Sequence, residues 1–171
     1  QVIGATGLPE ANSEGEGGID VGEQVKHALR YRPDWLVFGE VRDSDAAVPM
    51  VKAMTHGQAA MTTVHAPSAE GALDKLALYL GTGEDRLPPD VAHNQLRQAL
   101  DVVVHVDRLA DGRRVVAEVV EVAGFDGHRC TLNRIAERDR VGGGWTTMNR
   151  LTAAHADALA RVGFDPHSLG G

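Results

Sequence analysis

Cysteine is almost missing from this chain. Cys130 stands alone in 171 residues, which excludes an intramolecular disulfide framework and fits a reducing compartment. Aromatic residues make up only 4%, so a core must rest on Val, Leu, Ala and Ile. No apolar run approaches the roughly 20 residues a membrane span needs. Basic residues are outnumbered, 17 Lys and Arg against 24 Asp and Glu, for a formal net charge of −7. A general nucleic-acid binder carries the opposite balance. No pair of the eight histidines has the i, i+4 spacing with a third ligand that zinc requires, so no metal is expected on side chains of this chain alone. There is no Gly-x-Ser-x-Gly elbow for a serine hydrolase and no Gly-Lys-Ser/Thr for a phosphate-binding P-loop. The first residue is Gln1 rather than Met, and the chain reads as a piece of a longer polypeptide.

What remains, 43% hydrophobic and 24% charged, suits one globular unit with a sizeable core. Residues 1–18 combine five glycines with three glutamates and read as a mobile loop. A helix is expected from Asp20 to Tyr31, with Asp20 and Glu23 in a capping-box relation and Val21, Val25, Ala28 and Leu29 buried. Pro33 ends it and biases Arg32 towards extended geometry. Trp35 to Phe38 is an unbroken apolar run, the pattern of a parallel strand covered on both faces. A helix over Asp45–Thr55 follows, with Asp43 or Ser44 as its cap and Pro49 near its first turn. Next come a strand over Ala59–Val64, a helix over Ala69–Leu80 closed by Gly81-Thr82-Gly83, and a helix over Pro89–Leu100. Val102–Val106 and Val115–Val122 flank Asp111-Gly112, a strong hairpin signal. Cys130–Ile135 is a third antiparallel candidate, and Leu151–Val162 has helical periodicity.

Ligands of parallel α/β sheets sit beyond the carboxyl ends of the strands. Glu40 and Arg42 fall there after one strand, and His65 after the next. A carboxylate can polarise an attacking water, while His and Arg can stabilise phosphate charge. Thr62 and Thr63 add hydroxyls beside them.

These residues also carry a family likeness. Leu29-Arg30-x-x-Pro33-Asp34, the run to Gly39-Glu40-Val41-Arg42-Asp43, and Met61-Thr62-Thr63-Val64-His65-Ala66 resemble the secretion (traffic) ATPases. These are the hexameric ATPases of type II and type IV secretion and of type IV and Flp (tight-adherence) pilus assembly. The likeness is close over Ile19 to Leu80, looser over Asp101 to Val122, and extends to the Gly-rich break with Trp145 and the closing helix, as in the Flp branch. It implies a partial RecA-like P-loop ATPase core, α/β with a parallel sheet flanked by helices, over residues 19–108. An antiparallel β-hairpin extension and C-terminal helix would occupy 109–171. By resemblance Glu40 is the Walker B glutamate that activates water, Arg42 and Asp43 complete that motif, and His65 is the His-box histidine. Gly39, Asp43 and Arg30 would lie on the nucleotide side. ATP and Mg2+ would be used by the parent protein, with neither expected to bind the fragment tightly. The resemblance further implies a hexamer at the cytoplasmic face of the inner membrane, working on a membrane platform protein and not on nucleic acid.

The departures are as informative. Where the family has a Gly-His pair ahead of the His box, this chain has Thr55-His56-Gly57-Gln58, so His56 takes no role. No Walker A motif or acidic Asp-box strand precedes the matched region. In the family's sheet the P-loop strand lies between the His-box strand and the strand expected at Val102–Val106. The fragment alone is therefore expected to be inactive, and a truncated, non-catalytic assembly module is the alternative.

Overall fold

The structure is a computed structural model, and it describes residues 2–5, 21–139 and 144–165. The chain begins with strand β1 (Val2–Ala5) and helix α1 (Val21–Arg30). The strand replaces the loop expected over part of residues 1–18: Val2 and Ile3 are β-branched enough to pair, but four residues give no readable period. Helix α1 buries Val25 and Ala28 and carries Glu23 in its first turn and Arg30 in its last, matching the helix dipole.

Arg32 departs from the extended geometry expected ahead of Pro33. Its φ is +47°, the left-handed conformation in which helices commonly close. The Arg32 amide donates to the Leu29 carbonyl at 3.1 Å.

Strand β2 (Trp35–Phe38) leads into α2 (Ser44–Thr55) and β3 (Ala60–Met61). Together β1, β2 and β3 form a parallel sheet in that order, with Val2 opposite Trp35 and Leu36 opposite Ala60. The β3 ladder is shorter than the strand expected over Ala59–Val64. Beyond it the chain still holds β2's exit, through the Val41 amide to the Thr63 carbonyl at 2.9 Å. Strand β2 is not covered on both faces: Leu36 and Phe38 are buried, while Trp35 is 42% exposed. Met50, Val51, Leu76, Leu80 and Leu96 from the helices complete the core with Leu36 and Phe38.

Two further helices, α3 (Ala69–Thr82) and α4 (Pro89–Ala99), precede an antiparallel sheet of β4 (Val102–Arg108), β5 (Arg114–Phe125), β6 (Cys130–Arg138) and β7 (Trp145–Met148), ordered as in the chain. Gly112, at φ +88°, turns β4 into β5. Strand β4 thus belongs to the antiparallel sheet and not to the parallel one. Among the described residues β3 and β4 are both sheet edges. These are the two strands that the family resemblance puts on either side of a P-loop strand.

The last helix, α5 (Ala153–Arg161), buries none of its residues; its apolar periodicity is not what holds it. A polar clamp does. Glu121 on β5 is fully buried and accepts from the Thr152 amide at 3.0 Å, from Asn133 Nδ2 at 2.8 Å, and from the Thr152 hydroxyl. His155 bonds Glu121 through Nδ1 and Asp101 through Nε2 at 3.1 Å. Among the described residues no helix is long and apolar enough to cross a membrane.

Candidate functional site

Helix α2 crosses over between parallel neighbours β2 and β3, so both strands deliver their exit loops to one edge of the sheet. There the structure brings together three of the residues singled out from sequence. Arg42 donates to Glu40 Oε2 through Nε at 2.8 Å and approaches it through Nη2 at 2.8 Å. His65 Nε2 lies 3.2 Å from Glu40 Oε1. Each carboxylate oxygen therefore has its own cationic or imidazole partner. The Arg42 hydrogen bond holds the Glu40 carboxyl below its usual range; desolvation opposes it, and the charges of Arg42, His65 and Lys75 add to the lowering. Glu40 stays ionised, as a proton acceptor must. The His65 and Arg42 side chains are 87% and 73% exposed, so the cluster faces solvent.

The scaffold beneath is tied across the two loops. The Thr63 hydroxyl donates to the Gly39 carbonyl at 2.7 Å, which fixes Gly39 against the His65 segment. Asp43 is occupied elsewhere: its carboxylate caps α2 by accepting from the Ala46 amide at 3.1 Å. Arg30 sits exposed at the end of α1, the helix that leads into the opposite end of β2 from Glu40. The structure does not draw it into the cluster. His56 closes α2, its ring Nδ1 lying 2.6 Å from the Lys52 carbonyl, and Gln58 donates to the Pro33 carbonyl at 3.0 Å. Both lie at the entry to β3, away from His65.

Lys75 was not foreseen from sequence. It reaches back from α3 to donate to the His65 carbonyl at 2.7 Å. Only the cap at Ser68, which fixes where α3 starts, could have placed Lys75 on the turn facing His65.

A carboxylate flanked by Arg, His and Lys and open to solvent fits a phosphoryl substrate together with an attacking water. It does not make a metal site: among the described residues no cluster of three or more His, Cys, Asp or Glu could hold a metal ion. A cavity of about 630 Å3 lies instead between α1, α2 and residues 83–85, lined by Lys26, Lys52 and Asp85 among others. It contains none of Glu40, Arg42 or His65, and two of the charges in its wall, Lys52 and Asp85, pair with each other at 2.9 Å.

The chain is similar to several known proteins. The conjugal transfer protein TrbB of Rhizobium radiobacter is 33% identical over 108 residues, covering 63% of this chain and 32% of TrbB. The competence protein ComGA of Streptococcus pneumoniae is 40% identical over 70 residues, covering 41% of this chain and 22% of ComGA. The chain thus spans a third or less of the length of these relatives. The crystal structure of the VirB11 ATPase from the Brucella suis type IV secretion system superposes with a TM-score of 0.60 at 24% identity. The superposition covers 71% of this chain and 40% of VirB11, and the two share the α/β fold. The sequence profile of the type II/IV secretion system proteins matches residues 3–141, most of the chain. The chain belongs to the type II/IV secretion system protein family.

Proposed function

We propose that this chain supplies the water-activating half of an ATP-hydrolysing motor, and that the whole protein uses hydrolysis to drive secretion or pilus assembly. One observation carries the reading: Glu40, ionised and held by Arg42, meets His65 from the neighbouring strand at 3.2 Å. In this reading Glu40 accepts the proton of the attacking water. His65, bonded to the same carboxylate, orients it and lies where the γ-phosphate would be felt, and Arg42 keeps it charged. Gly39, tied to Thr63, leaves the approach to Glu40 free of a side chain. Magnesium would neutralise charge on the nucleotide's own phosphates. The family likeness, with VirB11 described as an ATPase of a type IV secretion system, supports the assignment. A hexameric ring at the cytoplasmic face of the inner membrane, acting on a platform protein, completes the proposal.

The test is made in the longer protein that contains these residues. Glu40→Gln should lower phosphate release by about 10²–10⁴-fold, the usual worth of a positioned base, while ATP still binds. Wild-type turnover in that variant would exclude Glu40 as the base and leave the assembly-module reading standing.

A further inference from the structure

The candidate site is braced from the antiparallel sheet through a buried carboxylate. Glu118 on β5 is 8% exposed, and a charge in such a position is costly unless it is satisfied. Its Oε2 accepts from the Ala69 amide at 3.2 Å, and Arg134 Nε lies 3.4 Å from its Oε1. Ala69 is the first residue of α3 and fully buried. The N-cap residue Ser68 satisfies the Gly71 amide through its side chain at 3.0 Å and the Ala72 amide through its carbonyl at 3.0 Å. The Ala69 amide is an orphan donor of the first turn, and Glu118 supplies its acceptor from 49 residues away. A carboxylate at this end also suits the helix dipole.

Only Ala66, Pro67 and Ser68 separate Ala69 from His65. Lys75, on the same helix, holds the His65 carbonyl at 2.7 Å. The helix therefore grips the His65 segment twice, and Glu118 ties the first residue of that helix to the antiparallel sheet. We propose that Glu118 is a positioning residue: by capping α3 from the antiparallel sheet it fixes His65 at bonding distance from Glu40. The inference rests on the reading of Glu40 and His65 as the hydrolytic pair, but the placement of His65 can be measured without nucleotide.

Two variants separate the cap from mere filling of space. Glu118→Leu fills a similar volume without an acceptor, and Glu118→Gln keeps an acceptor oxygen. In this chain, Glu118→Leu should speed amide hydrogen exchange at Ala69 by about tenfold, the worth of one hydrogen bond. It should also move the His65 ring 15N resonances towards those of Glu40→Gln, in which the carboxylate facing His65 is removed. Glu118→Gln should keep both wild-type signatures. Unchanged His65 resonances in a folded Glu118→Leu protein, or displaced ones in Glu118→Gln, would overturn the proposal. In the longer protein Glu118→Leu should reduce kcat by about tenfold or more with KM little altered, since misplacement of a catalytic pair costs rate. If Glu40→Gln leaves turnover intact while the His65 resonances respond as expected, the hydrolytic reading fails and the positioning stands.

Discussion

At the scale of single residues, the state of Glu40 depends on its neighbours more than on burial. Arg42 is the largest cause of its lowered pKa, so Arg42→Leu should raise the Glu40 midpoint towards the ordinary carboxylate value. A 13C titration of the Glu40 carboxyl would read this, and an unchanged midpoint would remove Arg42 from the account. The pair Glu40–His65 was legible in the sequence because strand-exit positions in a parallel sheet are few and polar residues there stand out. Lys75 and Glu118 were not. The contacts by which they hold the His65 segment and α3 are to main-chain atoms, the His65 carbonyl and the Ala69 amide, and main-chain partners leave no trace in side-chain patterns. Asp43 was legible twice, as part of a motif and as a cap, and the structure uses its carboxylate as the cap.

At the scale of elements, helices α1 to α4 were readable in the sequence, although the Asp20 cap expected for α1 lies outside the described residues, whereas β1 and β3, at four and two residues, are too short for a period to register. Strand β7 was missed altogether, because Trp145 follows Gly142-Gly143-Gly144 and composition there points to a break. For α5 the helix was readable but its anchor was not. The anchor is titratable. Glu121 is brought from the ordinary 4.5 to about 2: burial opposes ionisation, but the hydrogen bonds from Thr152, Asn133 and His155 outweigh it. His155 is raised above 6.5, since Glu121 and Asp101 outweigh its own desolvation. A lowered carboxylate stabilises above its unfolded pKa and loses that contribution as pH falls; a raised imidazole stabilises below its unfolded pKa and loses it as pH rises. Attachment of α5 should therefore be firmest between about pH 4.5 and 6.5 and loosen on either side. Trypsin cleavage after Arg150, followed against pH, should be slowest in that window; a flat profile would refute it. Glu121→Ala should destabilise the fold by about 3 kcal/mol, as expected when buried donors and a partner charge are stranded.

At the scale of the whole molecule, the proposed hydrolytic edge is not accompanied by a P-loop sequence within these 171 residues. The backbone N–H nest and lysine of a P-loop supply most of the grip on a triphosphate, and no Gly-Lys-Ser/Thr occurs in these 171 residues. The purified chain should show no appreciable ATPase activity in a phosphate-release assay. Turnover that vanishes on Glu40→Gln would sink that expectation. The antiparallel set of Val102–Val106, Val115–Val122 and Cys130–Ile135 was legible from the Asp111-Gly112 turn, but whether Val102–Val106 also joined the parallel sheet was not, because its apolar character suits either sheet. That strand has a practical consequence. Val102, Val104 and Val106 are 48%, 52% and 53% exposed along a sheet edge whose outer backbone groups have no ladder partner among the described residues. An exposed β-branched edge is adhesive. Concentrated solutions of this chain should scatter light increasingly with time, and Val104→Lys should slow that growth severalfold. If scattering is the same in both proteins, β4 is not the adhesive surface. If Val104→Lys slows it, shelf life is governed by whether a strand lies beside β4.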